Sequence, residues 1–170
     1  MVERLLERLD AANEAIGRAV SLVIFVMIAV VMFETVARYF FNAPTPWAHE
    51  SSGWLQVAYI FLGGAFALQR GFLVRVDLVY GHLSPRAQAW IDLTLGTALF
   101  GLFAAVMIWK GTSFAYLSFR MGEISATEAW SGPVYPAKFM IPAGMILLSL
   151  AWLTRSCRQI LLLLGRATDR

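Results

Sequence analysis

Apolar residues gather in four long runs along the chain, with short polar segments between them. Ahead of the first run, Val2, Leu5, Leu6, Leu9, Ala12 and Ile16 recur at three- and four-residue steps, with Glu3, Arg4, Glu7, Arg8, Asp10 and Glu14 between them. That period predicts an amphipathic helix over residues 1–18. Because it leads into a membrane span, it is expected to lie along the cytoplasmic membrane surface or against a partner, with Glu14 and Arg18 as a favourable i,i+4 pair. A secretory signal is not expected, since the acidic residues spoil a positive start and no small-residue cleavage site follows.

The first predicted span covers residues 19–41, and about 20 apolar residues suffice to cross the hydrocarbon layer. The second covers 47–69, where Gly63 and Gly64 would permit close helix approach. Residues 70–83, RGFLVRVDLVYGHL, are too short and too charged to be a span. Ser84 and Pro85 then signal a new helix, serine as cap and proline at the first helical position. The third span is expected at 89–109, with helix able to continue through 119. Gly122, Gly132, Pro133 and Pro136 mark 121–138 as an extended or re-entrant loop. The fourth span is expected at 139–157, where Pro142 near its start is tolerable. The predicted fold is an all-α integral membrane protein, one domain over residues 1–170, with four transmembrane helices after an amphipathic helix on the cytoplasmic side.

Composition agrees with the pattern: 59% of the 170 residues are hydrophobic and only 15% charged, against roughly half and a quarter in ordinary soluble domains. The net charge of +3 forms no basic stripe, so nucleic acid is not an expected partner, whereas the lipid bilayer is. The placement of the basic residues instead predicts topology. Arg4, Arg8, Arg18, Arg70, Arg75, Arg86, Arg155, Arg158, Arg166 and Arg170 fall on one side of the spans. Arg38, Lys110, Arg120 and Lys138 fall on the other, which accounts for all 14. By the positive-inside rule both termini are expected in the cytoplasm. Trp47, Trp54, Trp90, Trp109, Trp130 and Trp152 lie mostly near predicted span ends, as an aromatic belt requires. A single cysteine, Cys157, excludes an internal disulfide framework and a CxxC redox pair.

Candidate chemistry concentrates in ETVARYFFNAPTPWAHE, residues 34–50. Glu34 and Arg38 share a helical face and can pair; a carboxylate inside a membrane helix is also a possible proton or cation site. Asn42 suits a helix C-terminal cap, and Pro44 and Pro46 break one helix and start the next. Trp47, His49 and Glu50 open the second span, where an acidic residue in the first turn favours the helix N-terminus. His49 beside Glu50 makes a poor metal site, because adjacent helical residues diverge by about 100° and no further ligand occurs at the needed spacing. His82 is expected on the opposite side of the membrane. No serine has a His and Asp companion on its own expected face of the membrane and no phosphate loop follows a strand, so neither an enzyme nor a cofactor is expected. Two readings remain from the residues alone: a small homodimeric proton-coupled multidrug exporter with Glu34 as proton carrier, or a membrane scaffold that transports nothing.

Two blocks carry a resemblance that favours a third reading. RYFFNAPTPWAHE, residues 38–50, resembles the Arg-Tyr, Asn, Pro, Trp and Glu pattern of the small membrane subunit of TRAP transporters, the DctQ-like family, here Arg38, Tyr39, Asn42, Pro44, Trp47 and Glu50. LGGAFALQRGFLVRVDLV, residues 62–79, resembles that family's Gly-Ala, Arg-Gly and Arg-Val-Asp arrangement, here Gly63, Gly64, Arg70, Gly71, Arg75 and Asp77. The resemblance implies a bacterial inner-membrane subunit of a tripartite, ATP-independent importer of organic anions. Its implied partners are a large membrane subunit, which would carry the sodium coupling, and an extracytoplasmic substrate-binding protein. The chain itself would be a non-catalytic scaffold.

Overall fold

The computed structural model describes residues 2–71, 82–125 and 131–163. Arg75, Asp77, Trp130, Arg166 and Arg170, named above, lie outside the described residues. Helix α1 runs without a break over Val2–Phe40, so the stretch before residue 19 and the first span are one helix; no Gly-Pro signal or cap residue separates them. Helix α2 is Pro46–Gln69, with proline in its first turn. A short helix α3, Pro85–Ile91, passes through a π-helical turn, Asp92–Gly96, into α4, Thr97–Met121. Helix α5 is Tyr135–Leu163, with Pro142 inside it. Four of the helical stretches are long and apolar enough to cross a membrane.

The spans pack in the order α1, α2, α5, α4. The fourth span in sequence is thus inserted between the second and the third, and α4 takes its interhelical packing from α5. The buried apolar residues are mostly alanines: Ala48, Ala58, Ala65, Ala104, Ala115, Ala137 and Ala151. In lipid, where apolar side chains gain nothing by leaving the solvent, helices associate through close backbone approach, which small residues permit. Two glycines mark the tightest crossings. A Cβ on Gly17 of α1 would lie 2.5 Å from Phe66 Cβ of α2, and one on Gly144 of α5 would lie 2.5 Å from the carbonyl carbon of Phe61 on α2. A cluster of Ala65, Leu68 and Ala151, covered by Leu147, Leu148 and Trp152, continues the α2–α5 seam. Large apolar side chains such as Leu22, Phe25 and Phe33 on α1 and Leu102, Val106 and Leu117 on α4 point outward.

Candidate functional site

The turn between α1 and α2 is held by one carboxylate. Glu34 Oε1 accepts from Arg38 Nε at 3.0 Å and from a terminal guanidinium nitrogen at 2.5 Å. Its Oε2 accepts from the backbone N–H of Thr45 at 2.8 Å, and also from the Thr45 hydroxyl. Thr45 is the residue that precedes α2, yet its hydroxyl makes no capping bond to that helix. It is turned back onto α1 instead. Glu34 therefore ties the last turns of one span to the residue that precedes the next. The side chain of Glu34 is largely covered while Arg38 is half exposed.

Asn42 adopts the left-handed conformation, φ 50°, and the Ala43 N–H folds back onto the Ala37 carbonyl at 3.0 Å. Asparagine tolerates that region better than most residues. Pro44 occupies the non-helical link. Trp47 packs beside Phe33 with ring centroids 5.9 Å apart, a second tie between α1 and α2. Tyr39 is 80% exposed and is followed by the equally bare Phe40 and Phe41. A shallow cleft beside the turn is lined by Glu34, Thr35, Arg38, Tyr39, His49 and Ser52.

Glu50 lies in the second turn of α2, because the helix starts at Pro46. The expectation that it serves the helix N-terminus from the first turn is corrected: it accepts from the Ser125 hydroxyl at 2.5 Å, reaching the segment between α4 and α5. The described residues on either side of 126–130 are joined by their own bonds. Gly122, φ 59°, ends α4, with Gly122 N–H on Phe119 and Glu123 N–H on Ser118, the paired closure of a Schellman end. Ser125 N–H then donates to the Gly132 carbonyl at 2.9 Å and Val134 N–H to that of Glu123 at 3.1 Å, around an antiparallel bridge between Ile124 and Pro133. Lys138 of α5 donates to Glu123 at 2.5 Å and stands 4.0 Å from the centre of the Phe114 ring. The Lys138 ammonium holds the Glu123 carboxyl below the usual carboxylate range.

The opposite end of the layer is closed by a second polar group. Arg70 pairs with Glu14 at 2.5 Å and lies over the Phe66 ring; Gly71, φ 72°, lets the chain leave α2 there. Gln69 donates to the Asp10 carbonyl at 3.2 Å, and Asp10 pairs with Arg158 of α5. Asp92, buried at the start of the π-helical turn, accepts from Arg155 at 3.2 Å and Gln159 at 2.8 Å. Trp152 donates its indole N–H to Thr97 at 3.2 Å.

Glu34, Arg38, Asn42, Pro44 and Trp47 are brought together at the turn, whereas Tyr39 is exposed and Glu50 reaches Ser125 instead. Of the two glycines expected at a helix crossing, Gly63 meets only Val20 at 3.7 Å and a Cβ on Gly64 would meet nothing within 4 Å. Thr45, Asp92, Glu123 and the glycines Gly17 and Gly144 were not singled out from the sequence. Asp92 alone carried a usable signal, as a carboxylate in an apolar run that must find a partner. Among the described residues no three His, Cys, Asp or Glu side chains are placed to hold a metal ion.

Comparison with known families places residues 27–162 in a match to the family described as "Tripartite ATP-independent periplasmic transporters, DctQ component". A search of curated proteins finds no match.

Proposed function

The chain belongs to the DctQ family, the small component of tripartite ATP-independent periplasmic transporters, and from that premise we propose that it is the static membrane scaffold of a sodium-coupled importer of organic anions. In this reading it packs against the large membrane subunit, which moves the solute and carries the sodium sites. Its turn end faces the periplasm, where the extracytoplasmic binding protein docks, and both termini are cytoplasmic in a bacterial inner membrane.

The observation that carries the scaffold role is the use made of Glu34. A proton or cation carrier in a membrane must exchange its ligand during turnover, and such carboxylates face a cavity or pathway. Glu34 instead has both oxygens engaged by Arg38 and Thr45, which fastens α1 to α2. The same holds at the other end, where Glu14, Asp10 and Asp92 each meet a cation of this chain. The proton-coupled exporter is disfavoured on the same ground. Exposed Tyr39, Phe40 and Phe41, together with the bridged residues 122–125 and 132–134, supply the periplasmic surface for docking.

Co-expression with the large membrane subunit and the binding protein, followed by reconstitution in liposomes, tests the proposal. Sodium-driven uptake is expected only when all three proteins are present. Uptake of a solute by this chain alone, driven by sodium or by protons, would overturn it.

A further inference from the structure

Polar side chains crowd the end of the molecule at which α1 starts and α5 finishes. Helix α2 stops there at Gln69, and Asp10 of α1 reaches Arg158 of α5 directly. Between the three helices lies a cavity of about 240 Å³, whose wall includes Asp10, Gln69, Arg155 and Arg158 together with the buried apolar pair Leu68 and Ala151. Arg155 and Arg158 are three residues apart on α5, so they share a face. Their carboxylate partners come from different elements: Asp92 of the π-helical turn meets Arg155, and Asp10 of α1 meets Arg158.

Both carboxylates are largely covered, while Arg158 is more than half exposed and Arg155 partly so, which makes the cation the more accessible member of each pair. Each of these arginines spends one nitrogen, Nη2, on its aspartate. Arg38, by contrast, gives Glu34 two. A guanidinium carries five N–H donors in a planar fork, and the rest of both forks meets no acceptor among the described residues. Two cations at this spacing on one helix also oppose each other until an anion stands between them. The charge of the ion-paired group at this end agrees: Arg18, Arg70, Arg155 and Arg158 stand against Glu14, Asp10 and Asp92, four positive charges against three negative.

We propose that this cavity binds a phosphate group through the remaining N–H donors of Arg155 and Arg158, and that its source is an anionic phospholipid of the leaflet beside the first turns of α1 and the last turns of α5. Guanidinium forks match phosphate oxygens in geometry and in charge. Basic pockets between transmembrane helices hold anionic head groups by the same chemistry. The apolar wall of Leu68 and Ala151 suits a ligand that is charged at one end and apolar beyond it, which a free phosphate is not. A zwitterionic head group would leave the excess positive charge in place. The site requires only that the chain lies in a bilayer, and it is independent of the solute and coupling ion in the reading above.

The test uses the full chain, purified in an uncharged detergent and titrated separately with phosphatidylglycerol, phosphatidylcholine and inorganic phosphate. Native mass spectrometry counts the adducts, and thermal unfolding reads the protection that a bound ligand confers. A single phosphatidylglycerol adduct with a raised midpoint is expected, and neither from phosphatidylcholine. Arg158→Gln combined with Asp10→Asn removes one guanidinium without stranding a carboxylate, and should weaken lipid binding by about tenfold or more. Arg158→Lys keeps the charge opposite Asp10 but not the fork, and should weaken it as well. Arg18→Gln alters an exposed arginine at the same end that does not line the cavity, and should change binding by less than about twofold. Equal binding of phosphatidylcholine, an equal loss in Arg18→Gln, or full binding by both Arg158 variants would overturn the proposal. Protection by inorganic phosphate as strong as that by lipid, and lost in the same variants, would support the phosphate site and overturn lipid as its source.

Discussion

Gly144→Ala should destabilise the protein by more than one methyl group suggests. The new Cβ would overlap the carbonyl oxygen of Phe61 and would lie 2.5 Å from its carbonyl carbon and 2.7 Å from its Cβ. Carbon contacts are comfortable at about 3.5–4.0 Å, so the shortfall is roughly 1 Å. The obstacle is largely backbone, and no rotamer change removes it. Helices α2 and α5 must part by about that amount, and such a gap forfeits roughly a quarter to a half of the attraction of each atom pair along the seam. The seam includes the tightly packed Ala65, Leu68 and Ala151. Overpacking of this kind costs about 1–3 kcal/mol, while the helix propensity of alanine over glycine returns about 1 kcal/mol. The balance is a net loss of about 0–2 kcal/mol, and about 1–3 kcal/mol relative to the same change at an open position. Gly64→Ala is the matched control, the same chemical change where nothing lies within 4 Å, and it should be neutral or slightly stabilising. Unfolding midpoints of the two purified variants in one mild detergent decide the matter; equal midpoints would refute the claim that the α2–α5 contact is set by close backbone approach.

Three further outcomes follow from the polar contacts. Glu34→Ala should lower the thermal midpoint because it strands the Arg38 guanidinium and leaves the Thr45 N–H without its acceptor. The double variant with Arg38→Ala should lose less than the two single losses added, and a double-mutant cycle that came out strictly additive would count against the pairing. Glu123 titrates below its ordinary value beside Lys138. Its contribution is therefore complete above the unfolded carboxyl range and is lost as pH falls through the lower, folded value. The acid limb of a stability profile should flatten in Lys138→Met, and an unchanged limb would mean that the pair is screened to insignificance. Asp92→Asn should keep the Gln159 contact but leave Arg155 without its countercharge, lowering stability by about 1–3 kcal/mol in chemical denaturation.

The legible parts of this molecule are those decided within a few residues. The spans show as apolar runs, Pro46 shows where α2 starts, and Asn42 before Ala-Pro shows where α1 ends. What could not be read depends on neighbours distant in the chain. Gly63 and Gly64 look like an interface because two small residues stand together, but which helix face is buried follows from where α5 inserts, and that insertion sets Gly144 against Phe61. Gly17 is hidden for the same reason, inside a stretch whose period pointed to a surface helix. Asp92 and Arg155 meet across 63 positions, and the π-helical turn that presents Asp92 leaves no mark in local propensity. At the candidate site, the i,i+4 relation made Glu34 and Arg38 readable as a pair. The role of Thr45 was not readable, because an N-cap threonine ordinarily turns its hydroxyl toward its own helix, and here the hydroxyl serves the preceding one.

These contacts hold the helices of the layer in register with one another. Sliding one helix past another by a single turn, about 5.4 Å, has to break the ties at both ends of a seam together. Between α1 and α2 those ties are Glu34 with Thr45 at one end and Asp10 and Glu14 with Gln69 and Arg70 at the other. Between α5 and α4 they are Lys138 with Glu123 and the Asp92 group with Arg155 and Gln159. The α2–α5 seam has its tie to the 122–134 segment through Glu50 and Ser125, and a mid-helix lock where Gly144 meets the backbone of Phe61. Separating these pairs leaves the largely covered carboxylates of Asp10, Glu34 and Asp92 without partners, so the intermediate positions of a slide are unfavourable. A slide is therefore opposed at both ends of each seam, and the four helices keep one register.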